Sequence, residues 1–272
     1  MTGLTVEQAK QVLIGLNPSG ERLGAVRIAF DGELARITID HPEARSAVSL
    51  SMMVDLADAV LALRAWPGAL ALISSTDPRS FCAGGHLGQV TRAVGAGSPA
   101  IEMARAMTVI LDGLMDAPQI TVAAIDGIAL GGGAELATAA DFRVAGPEAR
   151  LHFVHARLGI APGWGGAGRL TRIVGRRAAL SLLTRARSVG PGEAVEIGLV
   201  DHRCDGGAVD AAMIWLADLR ALPPEVVRGL KRQVVAAAPA RVGAEVEAEA
   251  FASLWGGPAH ERGLAGLERH RR

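Results

Sequence analysis

Two periods alternate along this chain. Apolar residues occur at every second position in some segments and at every third or fourth in others, and the switch between the two separates strands from helices. Val26 to Phe30 and Leu34 to Asp40 alternate around Asp31-Gly32. This predicts an antiparallel hairpin, because glycine tolerates the positive φ of such a turn. Ser49 is placed to cap a helix running to about Arg64 and stopped by Trp66-Pro67-Gly68. A short apolar run, Ala69 to Ser74, then reads as a buried strand. It is followed by a glycine-rich loop at 82–88, helical spacing over 99–116 and a second buried strand, Ile120 to Ile125.

Strand, glycine loop and helix recur twice, which predicts an α/β fold. Such a fold has a mostly parallel sheet with helices packed outside it, and it binds ligands where strand carboxyl ends meet helix starts. Near the N-terminus, Thr5-Val6-Glu7-Gln8 has the form of a capping box opening a short helix. Beyond about residue 190 strand signals fade, and Gly207 to Leu222, Pro224 to Ala236 and Val242 to Leu254 read as three helices. The expected organisation is a helical extension over 1–24, a core over 25–200 and a helical region over 201–272 that serves assembly or acts as a lid.

Composition narrows the function classes. Half the residues are hydrophobic, aromatics make up 3%, and 28 Lys+Arg balance 28 Asp+Glu. That leaves neither the basic excess nor the stacking surface that nucleic-acid binding needs. The two cysteines, Cys82 and Cys204, have neither disulfide-framework nor metal-ligand spacing, so free thiols, a reducing cytoplasmic setting and no bound metal are expected. No signal peptide is evident, and the longest apolar runs are strand-sized, so no membrane span is expected.

The chemistry concentrates in two glycine loops. Gly131-Gly132-Gly133 lies between a strand and a helix, where the bare backbone can approach a ligand and aim unsatisfied amides at it. Phe81-Cys82-Ala83-Gly84-Gly85-His86 also follows a strand, and two such loops can each donate one amide to a developing oxyanion. Glu135 follows the first run and His155 stands twenty residues further on. A first-turn glutamate is also favourable without any catalytic role, and His155 also suits a satisfied core position. Cys82 lacks the nearby positive charge of a reactive thiolate and reads as a packing residue. His152, in the same segment as His155 and expected to be extended, should point to the opposite face.

The segments FCAGGH, IDGIALGGGAELATAADFRVA and LGIAPGWGGAGRLTRIVG resemble the crotonase (enoyl-CoA hydratase/isomerase) superfamily, and the likeness covers roughly residues 25–272. The resemblance implies a spiral of ββα turns with a C-terminal helical oligomerisation segment, assembled as a homotrimer or a dimer of trimers. It also implies an acyl-CoA thioester whose enolate is held by two backbone amides, which motif position assigns to Gly85 and Gly132. The two acids of the family's hydratases fall on Glu135 and His155, so only one glutamate remains. Residues 150–166, with FVH and a Trp before Gly-Gly, and the tail Leu254-Trp255-Gly256-Gly257-Pro258-Ala259 resemble an ethylmalonyl-CoA decarboxylase subgroup.

That likeness implies decarboxylation of ethylmalonyl-CoA or methylmalonyl-CoA, with Glu135 and His155 handling the proton and coenzyme A entering only as part of the substrate. Trp164 would line an apolar acyl pocket. Ala47, Ala83, His86 and Leu87 are carried over as acyl-CoA contacts, with Arg45 and, from a neighbouring subunit's C-terminal helices, Lys231 as candidate phosphate partners, each equally suited to be a solvated surface charge. The sequence departs from the family at His86, where Asp is common, and at Ser46, where Asn is. Hydration or isomerisation with Glu135 as sole carboxylate, and a non-catalytic acyl-CoA-binding module, remain as alternatives.

Overall fold

A computed structural model describes residues 3–95, 97–237 and 244–269. The order begins α1 (Val6–Leu16), β1 (Ala25–Asp31), β2 (Leu34–Asp40), α2 (Leu50–Ala65), β3 (Leu70–Ser75), β4 (Ser80–Cys82), α3 (Leu87–Val94) and α4 (Ser98–Met115). It continues β5 (Ile120–Ile125), β6 (Ile128–Leu130), α5 (Gly132–Ala137), β7 (Phe142–Ala145), β8 (Arg150–His152), α6 (Gly166–Arg185), β9 (Ser188–Val189), α7 (Pro191–Glu196) and β10 (His202–Arg203). Five helices close the chain: α8 (Ala208–Trp215), α9 (Ala217–Arg220), α10 (Pro224–Ala237), α11 (Ala244–Leu254) and α12 (Pro258–Arg269).

The predicted hairpin is present, with Asp31 paired to Leu34 and Ala25 to Asp40. Strands β2, β3, β5, β7 and β10 then add in parallel, giving the sheet order β1-β2-β3-β5-β7-β10. A second sheet, β4-β6-β8-β9, runs beside it. Each turn of the chain therefore lays one longer strand in the first sheet and one three-residue strand in the second, which is the expected ββα spiral. Three residues are too few to show a period, so β4, β6 and β8 leave no pattern in the sequence.

Local signals set the helix starts. Thr5 and Gln8 make the capping box, with Thr5 Oγ1 accepting from the Gln8 amide and Gln8 Oε1 from the Thr5 amide. Ser49 Oγ accepts from the Met52 amide at the start of α2. The main core lies between the first sheet and α2, α4 and α5, and Ala9 and Leu13 of α1 are fully buried in it. A smaller cluster covers the other face, where Ala208, Ala212 and Leu216 meet Leu70, Leu72, Val122 and Val144.

The C-terminal region differs in detail from expectation. The predicted helix over 207–222 is interrupted at Leu216 and forms α8 and α9. Residues 242 and 243 of the third predicted helix lie outside the described residues. Beyond the three expected helices, Pro258 opens α12, still within the helical region expected over 201–272. Among the described residues no helix is long and apolar enough to cross a membrane.

Gly127 turns the chain from β5 to β6 at φ +66°, and a side chain there would fall on the Arg79 carbonyl. Gly127→Ala is expected to lower stability by about 2–4 kcal/mol, read as a reduced midpoint in chemical denaturation. An unchanged midpoint would show that the β5–β6 turn does not pack as closely against the start of β4 as described.

Candidate active site

The two glycine loops meet, as their sequence predicts. A side chain on Gly133 would land on the Cys82 carbonyl, and one on Gly84 would lie 2.9 Å from the Leu130 carbonyl oxygen. Only bare backbone permits that approach. Val48 forms an isolated parallel bridge with Gly85: its amide donates to the Gly84 carbonyl at 2.7 Å, and the His86 amide donates to the Val48 carbonyl at 2.8 Å. The Gly85 amide takes no part in this ladder. Gly132 is the first residue of α5, where amides have no helical acceptor.

Trp164 spans the two loops. A Cβ on Gly132 would lie 2.6–2.8 Å from three atoms of its indole, and one on Gly85 would lie 3.7 Å away. The ring is buried, at 4% exposure, and forms the wall between the two glycines.

The strip 45–48 runs alongside 83–87 and brings the candidate acyl-CoA contacts together. The Ala83 amide donates to the Arg45 carbonyl at 3.1 Å, and the Ala47 carbonyl accepts from His41 Nδ1 at 2.7 Å. Arg45 is exposed, while Ala83, His86 and Leu87 are half-buried. Arg45 and Ser46 are both left-handed, with φ of 53° and 56°, which explains why an Asn suits position 46. Ser46 holds the conformation through a 2.6 Å hydrogen bond with Ser75 Oγ.

His86 has a structural task as well. Its Nδ1 accepts from the Gln89 amide at 3.2 Å and caps α3, the service an Asp would give at an N-cap. The ring stacks on His41 with centroids 5.6 Å apart. Burial, with the charge of His41, holds the His86 pKa below its ordinary value.

The Glu135 carboxylate is 1% exposed and surrounded by donors. Oε1 accepts from His155 Nε2 at 3.0 Å and from the Gly163 amide at 3.4 Å. Oε2 accepts from the Trp164 amide at 2.8 Å and the Gly166 amide at 2.9 Å. Burial opposes ionisation, but the His155 hydrogen bond and charge, Arg169 and the Trp164 amide outweigh it and hold the carboxyl below the usual range. His155 is itself buried. Among the described residues its Nδ1 meets no hydrogen-bond partner, so one side of the pair is committed and the other is open.

His155 does not lie in an extended stretch. The strand ends at His152, and residues Val154–Leu158 form a 3₁₀ turn, which carries the His155 ring to Gly131. His152 Nε2 bonds the Ala186 carbonyl at 2.7 Å and is structural, as expected. Burial pushes the Cys82 thiol up to about 12, consistent with packing. Lys231 is a correction: it is buried, and its ammonium donates to the Gln119 carbonyl and to Asp141 at 2.6 Å. A cation so enclosed has no reach to a phosphate.

Two further charged residues of the site have no mark in the sequence. Arg169, at 1% exposure, donates to Thr138 Oγ1, to Asp112 and to the Trp164 carbonyl. Glu247, on α11, accepts from the Ala167 and Gly168 amides, each at 3.3 Å. A charged residue at helical spacing defaults to solvent, so neither carries a signal in one sequence. Among the described residues no group of three His, Cys, Asp or Glu side chains could hold a metal ion.

Two mostly parallel sheets in a ββα spiral, with paired glycine loops beside a buried Glu, define the crotonase class of fold. The chain belongs to the enoyl-CoA hydratase/isomerase family, whose model matches residues 29–266. Among curated proteins it is similar to ethylmalonyl-CoA decarboxylase of Danio rerio, 38% identical over 88% of this chain and 81% of that one. The Gallus gallus protein of the same name is 37% identical over 84% and 78%. An enoyl-CoA hydratase structure from Mycobacterium avium subsp. paratuberculosis K-10 shares the fold, with a TM-score of 0.79 and 20% identity over 90% of this chain and 99% of that one. A putative enoyl-CoA hydratase from the same source gives 0.78 at 28%, over 90% and 96%.

Because the His86 pKa is lowered in the fold, the cap contributes fully above the ordinary imidazole value and is lost as pH falls through the lowered one. His86→Ala is expected to cost about 1 kcal/mol at neutral pH. His86→Asp should keep the cap and remove its loss on the acid side of the ordinary imidazole value. Denaturant midpoints at two pH values check both; equal midpoints for His86→Ala and wild type would refute the cap.

Proposed function

We propose that the chain decarboxylates an alkylmalonyl-CoA thioester, ethylmalonyl-CoA or methylmalonyl-CoA. The observation that carries this reading is the saturation of Glu135. Adding water across a double bond asks for carboxylates free to orient that water and move its protons. Here one acid is replaced by His155, and the other has its two oxygens occupied by His155 and three backbone amides. The names of the relatives point the same way.

In this mechanism the thioester oxygen lies between the Gly85 and Gly132 amides. The substrate carboxylate is turned out of the thioester plane against Trp164, where an apolar wall favours its departure as neutral CO₂. The electron pair of the broken C–C bond becomes the enolate, which the two amides stabilise. His155, held through Nε2 by Glu135, presents Nδ1 as the position from which a proton reaches Cα, and solvent replaces it. Coenzyme A enters as part of the substrate, and the step asks for no further cofactor.

We also propose assembly as a homotrimer or a dimer of trimers. Val226, Leu230 and Val234 form a stripe along α10 that is 48%, 55% and 71% exposed, an apolar face suited to a second copy. Light scattering should then give three or six times 28.1 kDa, and a monomer would refute it.

Incubation with ethylmalonyl-, methylmalonyl- and crotonyl-CoA, followed by mass spectrometry, tests the reaction. Loss of CO₂ to give butyryl- and propionyl-CoA is expected. Water added to crotonyl-CoA without CO₂ loss would overturn the reading in favour of a hydratase. His155→Gln should lower kcat roughly 100-fold with KM little changed; an unaltered kcat would remove His155 from the chemistry.

A further inference from the structure

Glu135 and Glu247 come from helices far apart in the chain, α5 and α11, and hold the same turn. Glu135, on α5, takes the amides of Gly163, Trp164 and Gly166. Glu247, on α11, takes the next two, Ala167 and Gly168. The segment 163–168 therefore hangs between two buried carboxylates, 1% and 8% exposed. It carries Trp164, and through its amides it sets where the Glu135 oxygens sit against His155.

Neighbouring contacts make this a fixed arrangement. Phe251, one turn beyond Glu247, packs where a side chain on Gly163 would lie, and stacks on Trp255 with centroids 5.1 Å apart. Arg105 of α4 pairs with Glu245 on the same helix. Arg169 reaches from α6 to the Trp164 carbonyl and is neutralised by Asp112. Burying a second carboxylate beside Glu135 is costly unless it is hydrogen-bonded, and the two amides at the start of α6 supply those bonds.

We propose that Glu247 is a positioning residue: delivered by α11, its carboxylate holds the 163–168 turn so that Glu135, His155 and Trp164 keep their working geometry. The C-terminal helices thereby complete the site of their own chain as well as offering a surface for assembly. The inference rests on the decarboxylase reading for its kinetic test, and on geometry alone for its second.

The groups facing Glu247 are Glu135 from α5 and Arg169 from α6, with Asp112 and Arg105 of α4 and Glu245 of α11 beyond them. Burial first, then the charge of Glu135, pushes its carboxyl up to about 7. It is therefore ionised, and accepts best, above that value. Wild-type kcat should fall on the acid side of an inflection near pH 7.

Glu247→Gln keeps the shape but halves the accepting capacity. It is expected to lower kcat roughly 10-fold with KM within about twofold, since small misplacement appears in the rate, and to lack the inflection near pH 7. Glu247→Asp should recover part of the rate, whereas Glu249→Gln, exposed on the same helix, should behave as wild type. Hydrogen exchange followed by mass spectrometry gives the activity-independent readout: exchange should quicken in 163–170 and remain unchanged in β3 and β5.

Wild-type kcat, pH profile and local exchange in Glu247→Gln would overturn the proposal. So would exchange that quickens throughout the core of both Glu247 variants, which marks a residue needed only for folding. If the wild type releases no CO₂, the decarboxylase reading fails, while local exchange in 163–170 still decides the role of Glu247.

Discussion

The buried carboxylate of Glu135 is the constraint to which the site answers. A charge at 1% exposure survives only when its lone pairs are filled, and here they are filled by a side chain and by the backbone of a distant turn. Those bonds place His155, Trp164 and the start of α6 relative to α5. Arg169 balances the charge and ties the Trp164 carbonyl to Asp112. The cluster is a network in which each group satisfies another, and removing one member leaves its partner buried and unpaired.

Glycine makes the rest of the geometry possible. Gly84, Gly132 and Gly133 let two loops and an indole meet at distances that exclude any Cβ. Gly85 and Gly132, both half-buried, therefore lie beside the Trp164 indole. The apolar wall and the donors are consequences of the same close approach.

Much of the fold is legible in one sequence because local physics repeats itself. The Asp31-Gly32 hairpin, the Ser49 cap, the Thr5–Gln8 box and β5 lie where hydrophobic period and capping chemistry place them. The two glycine loops can be paired from residue order alone, since each follows a strand. The short strands β4, β6 and β8 cannot be read, because three residues carry no period and owe their conformation to neighbours. The 3₁₀ turn bearing His155 looks extended in sequence, because local signals there admit two outcomes and packing selects one.

The sequence by itself determined the alternation of strands and helices, the glycine loops and the spacing of His155 from Glu135, all of which are matters of residue type and spacing. Only the tertiary structure decided that Glu135 is saturated, that Lys231 is engaged by Asp141, and that Arg169 and Glu247 belong to the site. Charged side chains in helices look alike in sequence whether they face water or the interior. Their burial depends on which backbone amides and carbonyls remain without partners after the chain has folded, and that is settled by segments far apart in sequence.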